Sequence, residues 1–85
     1  MSELVGKTVR IRYFALLREE RGLSAETIST EAATVGQLYN EMRSKHDFSL
    51  PQDRMSVAIN DQFANWSEKL NDNDVVVFVP PVAGG

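Results

Sequence analysis

A two-layer α+β domain, with a mixed sheet packed on one main helix, is the architecture this sequence predicts. Three stretches carry the prediction. Thr8 to Phe14 alternates Val9, Ile11 and Tyr13 with Arg10 and Arg12, the period of a half-buried strand. Val35, Leu38, Tyr39 and Met42 recur at helical spacing and form one apolar stripe. Val75 to Val79 is apolar at every position, which suits a central strand covered on both faces and often paired in parallel.

Taken in order, the first strand runs Thr8 to Phe14 with Val9, Ile11 and Tyr13 toward the core. Phe14 falls on the face of the arginines, so it marks either the turn at the strand's end or an exposed aromatic. Ala15 to Glu20 has high helix propensity, and Gly22 ends that short helix. Ser24 to Thr30 has no clearly apolar face and reads as an edge strand able to pair with the first. Thr34 opens the main helix: Thr34-Val35-Gly36-Gln37 fits a capping box, in which the hydroxyl accepts from the N3 amide and the Gln side chain reaches back. His46 lies in its last turn, where the helix dipole favours a cation, and is read as structural or incidental.

Asp47 to Arg54, with Pro51 inside it, is expected to be a loop, and Met55 to Asn60 a strand with Val57 and Ile59 as its core face. Asn60-Asp61-Gln62 supplies turn chemistry, and the segment with Phe63 and Trp66 is a strand or a turn. Ser67 to Leu70 is expected to form a short turn of helix. Asn71-Asp72-Asn73-Asp74 makes a tight turn into the last strand, since asparagine tolerates positive φ. With the first and last strands as central neighbours, Phe14, Val77 and Val79 share the sheet face away from the helix. Contiguous exposed apolar surface of that kind marks a partner site.

Eighty-five residues make one domain. With no cysteine there are no disulfides, thiolate metal sites or cysteine nucleophile, and the single histidine builds no His-rich metal site. A net charge of −3 disfavours nucleic-acid binding, which needs a basic surface. No apolar run approaches the roughly 20 residues of a membrane span. Met1 to Lys7 lacks the apolar region of a signal peptide, so a cytoplasmic protein is expected.

Autonomous catalysis has no visible machinery: there is no Ser-His-Asp arrangement and no glycine-rich phosphate loop. Glu19 and Glu20 are adjacent on a helix and do not face each other. What remains is the arm Pro80-Pro81-Val82-Ala83-Gly84-Gly85, which follows a 1–79 domain. Pro80 and Pro81 end the sheet and stiffen the exit. Gly84 and Gly85 lack Cβ atoms and let another protein's active site approach closely. Six extended residues reach at most about 20 Å. By itself the arm is either a frayed terminus or a reactive one.

Phe14-Ala15-x-Leu17-Arg18-Glu19 followed by Gly22 resembles the first strand-to-helix junction of small sulfur-carrier proteins. Asn60 with Phe63 resembles their hairpin. Leu70-x-Asp72-x-Asp74, a hydrophobic strand and Pro80-Pro81-Val82-Ala83-Gly84-Gly85 resemble the C-terminus of molybdopterin synthase small subunits. The resemblance spans nearly the whole chain. It departs at Asp72-Asn73-Asp74, where the family commonly has Asp-Gly-Asp.

The resemblance implies a β-grasp, ubiquitin-like fold. It implies that an ATP-dependent, E1-like adenylyltransferase activates the Gly85 carboxylate as an acyl-adenylate. A sulfurtransferase or cysteine desulfurase then supplies sulfur for a thiocarboxylate. The tail, with Pro80, Pro81, Val82 and Ala83 as its inserting residues and Gly84 beside the reacting Gly85, enters the large subunit of a heterotetrameric synthase, and two transfers to cyclic pyranopterin monophosphate make the dithiolene of molybdopterin. The family's apolar docking residues map to Phe14, Phe63 and Val79, with Arg18 a candidate polar contact for the activating enzyme. No bound cofactor or metal is implied, and the chain is a non-catalytic subunit. The rival expectations are a carrier of the same fold for thiamin, tRNA thiolation or protein tagging, and a ubiquitin-like interaction module with an inert tail.

Overall fold

A computed structural model describes residues 6–81. The elements run β1 (Lys7–Tyr13), α1 (Ala15–Arg21), β2 (Ala25–Thr30), α2 (Val35–His46), a 3-10 turn (Gln52–Arg54), β3 (Ser56–Ile59), β4 (Gln62–Ala64) and β5 (Val75–Val79). The five strands form one sheet in the order β2-β1-β5-β3-β4. β1 and β5 pair in parallel and every other pair is antiparallel. This mixed sheet wrapped on α2 is the β-grasp fold.

Strand alternation sends Val9, Ile11 and Tyr13 of β1, Val57 of β3, and Val76 and Phe78 of β5 to the α2 side, all buried. From α2, Val35, Leu38, Tyr39 and Met42 meet them. The Tyr39 and Phe78 rings contact edge to face at 5.0 Å between centroids. Phe48 belongs to this core as well, stacked 6.0 Å from Tyr39; the sequence places it in a polar loop with nothing to single it out.

The Thr34 hydroxyl accepts from the Gln37 amide at 3.2 Å. The Gln37 side chain reaches back as expected, but to the Ala33 amide at 2.8 Å rather than to Thr34. At the helix start, Gly36 donates to the Trp66 carbonyl at 2.8 Å. A Cβ at position 36 would lie 2.9 Å from that oxygen, so only glycine allows the approach. Asn73 adopts the left-handed conformation (φ 70°) that glycine would take there, and its amide donates to Thr8. The Thr8 amide in turn donates to Asp72 Oδ1 at 2.7 Å. Asp74 is buried with both carboxylate oxygens satisfied, by Asn60 Nδ2 and the Asn71 amide.

Three expectations change. Phe14 lies outside β1 and caps α1. Ser67 to Leu70 forms no helix: Lys69 makes an isolated bridge to Thr34, Glu68 accepts from the Val35 amide, and the Leu70 amide donates to Ala33. Four residues cannot recover the cost of helix nucleation, and the chain entering α2 offers their backbone partners directly. Finally, β5 is central and parallel to β1, but only one of its faces lies under α2. Val75, Val77 and Val79 are half-buried on the other side, where no described element forms a second layer.

Candidate functional site: the outer sheet face and the end of the last strand

The outer face, turned away from α2, is set by register. Ala25, Arg12, Val77, Ala58 and Phe63 stand side by side across all five strands. Val79 lies one step further along β5, opposite Ser56. Phe63 is 78% exposed, the largest exposure of any large apolar side chain described. It is held out by a tight β3–β4 turn in which Asn60 and Asp61 both take positive φ (51° and 71°). Asn60 further ties that turn to β5, accepting the Val75 amide on its side chain and donating its own amide to the Val75 carbonyl.

At the other end, Phe14 is extended (φ −130°, ψ 155°) and its carbonyl accepts the Leu17 amide. Ala15 then turns left-handed (φ 50°). That reversal leaves Phe14 and Leu16 each 42% exposed on either side of it while Leu17 is fully buried. Phe14, Ala15, Leu16, Leu50, Val79, Pro80 and Pro81 line one apolar groove of about 470 Å³. β5 therefore runs out of the core directly into this groove. Pro80 is buried, so the arm is anchored at its first residue, and Pro81 is exposed.

Next to Phe14 in sequence, Tyr13 donates its hydroxyl to Glu26 on β2 at 2.6 Å, and Glu26 also binds Arg21 at the end of α1 through two contacts of 2.8 Å. Arg21's hydrogen bonds hold the Glu26 carboxyl below its usual range against the opposing effect of burial. Burial, with Glu26 adding to it, pushes the Tyr13 phenol far above its usual range. This clamp fixes α1 against β1 and β2 and so fixes Phe14 between them.

The structure thus brings Phe14, Val79, Pro80 and Pro81 together and carries the surface across Val77 and Ala58 to Phe63. Arg18 is exposed on α1, outside the groove lining. Val82, Ala83, Gly84 and Gly85 lie outside the described residues. Sequence reasoning missed Leu16, Leu50 and Ala58. Leu16 was within reach: on a short helix whose Leu17 is buried, the preceding residue points elsewhere. Among the described residues no group of three or more acidic, histidine or cysteine side chains can hold a metal. No described helix is long and apolar enough to cross a membrane.

The ThiS family model matches residues 11–85. The chain belongs to the ThiS family. The chain is 30% identical over 80 residues to the molybdopterin synthase sulfur carrier subunit of Escherichia coli K12, covering 91% of this chain and 99% of that one. It superposes with a TM-score of 0.76 on a putative molybdopterin converting factor subunit 1 from Pyrococcus furiosus, at 32% identity, 89% of this chain and 99% of the other. SAMP1 from Haloferax volcanii gives 0.75 at 26% identity, over 92% and 99%. A Helicobacter pylori complex of subunits 1 and 2 of molybdopterin-converting factor gives 0.61 at 26%, over 92% and 99%.

Proposed function

We propose that this ThiS-family chain is the sulfur-carrying small subunit of a molybdopterin synthase. The observation that carries the reading is the end of β5, which leaves the core through an apolar groove and leads into Pro80-Pro81-Val82-Ala83-Gly84-Gly85. The near-complete coverage of the E. coli sulfur carrier subunit supports it.

Gly85 supplies the reacting carboxylate. An α-carboxyl titrates at roughly 3.5 and is ionised at neutral pH, a poor acceptor for sulfur. An E1-like adenylyltransferase uses ATP to convert it to an acyl-adenylate, and sulfur from a sulfurtransferase or cysteine desulfurase replaces the adenylate to leave a thiocarboxylate. Gly84 admits the close approach both steps need. The large subunit, as in the H. pylori complex of subunits 1 and 2, receives the tail and a heterotetramer results. Cyclic pyranopterin monophosphate accepts the sulfur there. The chain contributes no catalytic side chain and no resident cofactor, and works in the cytoplasm.

Fixing the backbone of four residues, Val82 to Gly85, in a partner's site costs roughly 4–8 kcal/mol of backbone entropy. The docking face of Phe14, Val77, Val79 and Phe63 offsets that cost, and the buried Pro80 lowers it by fixing where the arm begins. Arg18, exposed on α1, is available to the activating enzyme.

Incubation with ATP, the activating enzyme and a sulfur donor should raise the intact mass by one oxygen-to-sulfur exchange. The product should then sulfurate the pterin precursor when the large subunit is added. The likeness to SAMP1 favours a second reading, protein tagging, in which the activated carboxylate goes to an amine. Amide-linked conjugates without pterin sulfuration would select it, and no mass change at all would sink both.

A further inference from the structure

The outer sheet face divides into two chemistries. Its β5, β3 and β4 half carries Val77, Val79, Ala58 and Phe63. Its β1 and β2 half carries Arg10 and Arg12, both exposed, with Thr27 and Ser29 beside them. The strand register places no acidic side chain on this face, although the chain has twelve acidic residues to nine basic ones. Among the described residues neither Arg10 nor Arg12 has an ion-pair partner; the described ion pairs are Arg21–Glu26 and Lys45–Glu41. Arg12 instead stands over the Phe14 ring, 6.0 Å from its centroid.

Two like charges two residues apart on one strand face repel each other, and nothing on the described face compensates them. Charges commonly protect an exposed sheet edge, but β1 is an interior strand between β2 and β5, so that explanation does not apply. Both positions hold arginine, whose planar guanidinium binds carboxylates in two-point fashion and gives up water more readily than an ammonium. An apolar patch flanked by a charged, solvent-accessible margin is also the anatomy of a protein–protein interface.

We infer that the β1 half of this face is an electrostatic docking surface for carboxylates carried by the large subunit. Arg10 and Arg12 pair with these acidic groups, fix the register of the complex and speed its formation. Val77, Val79, Ala58 and Phe63 form the contact core. The inference rests on the reading that the large subunit docks on this face. It adds the charge that the docking surface of the partner must present.

The test measures association rate and affinity of the thiocarboxylated chain for the large subunit as salt is raised. Between about 0.1 M and 1 M the screening length shrinks from about 10 Å to about 3 Å. The unmodified sequence should lose at least roughly tenfold in association rate over that range. Arg10→Glu/Arg12→Glu should lose more than about tenfold in affinity at low salt and show a flat or inverted salt response. Arg10→Gln/Arg12→Gln should flatten the response without reversing it, and serves if the double glutamate variant does not fold. Lys45→Glu, on α2 and off the sheet, is the control for net charge and should leave the association rate nearly unchanged.

An equal effect from Lys45→Glu and a single face substitution would overturn the inference in favour of general charge. Face variants that bind and respond to salt like the parent, while Phe63→Ala weakens binding, would also overturn it and leave the docking reading standing. Failure of the parent chain itself to bind the large subunit would remove both.

Discussion

Glu26 joins three elements: it accepts a proton-bearing hydroxyl from Tyr13 on β1 and two contacts from Arg21 at the end of α1. Because Arg21 holds its carboxyl below the usual glutamate range, the unfolded chain takes up a proton first as the solution is acidified. Stability present at neutral pH is therefore lost in acid. At the alkaline end burial raises Tyr13, so the unfolded chain ionises first above about pH 10 and stability falls there as well. Glu26→Gln should cost about 1–3 kcal/mol at pH 7 and flatten the acid limb; denaturant titrations at several pH values read both. Phe63 is the opposite case. At 78% exposure, Phe63→Ala should leave stability within about 0.5 kcal/mol yet weaken large-subunit binding by about 1–3 kcal/mol. Calorimetry of the complex beside thermal melts of the free chain separates the two quantities.

At the scale of elements, the short α1 depends on its terminator. Gly22 is left-handed (φ 80°), and a Cβ there would meet nothing within 4 Å. Gly22→Ala therefore carries a purely conformational penalty of about 1 kcal/mol. That corresponds to a melting temperature lower by about 4–8 °C, and an unchanged melt would contradict the assigned cap. Periodicity made α2 and β1 legible, because each buries one face against the same core; α1 was legible from helix propensity and its terminating Gly22, and β2 only as a weak edge strand with no clearly apolar face. Phe48 was not legible: a single aromatic in a loop has no period, and only the arrival of Tyr13 and Tyr39 on either side of it creates its site. Ser67 to Leu70 misled for a related reason, since its local propensity yields to partners that α2 presents from far away in sequence. The uniform apolarity of β5 covers two environments, full core burial for Val76 and Phe78 and a half-buried outer face at Val77 and Val79. The run of valines hides the difference, and only the pairing of β5 with β1 separates the two faces. The groove residues Phe14 and Val79 were readable because each breaks or extends a pattern; Leu50, which lines the same groove, breaks none.

At the scale of the molecule, the proposed sulfur chemistry and the stability of the core should separate. Deleting Gly85 should abolish thiocarboxylate formation and leave the melting temperature within about a degree, because terminal residues generally add little to the stability of a core. Mass spectrometry and a thermal melt of the same preparation decide it, and a large loss of stability would mean that the arm is packed structure. The position of β5 has one more consequence, for the order of events in synthesis. β5 is the last of the described strands, yet it is the one that β1 and β3 flank. Arg10, near the start, finds its parallel neighbour only at Val75. Contacts of such long separation are slow to form, and here they must wait until Val75 to Val79 has left the ribosome. A nascent chain lacking that strand holds two half-sheets with no common centre, so the body that places the arm is completed only when the residues leading into the arm have been made.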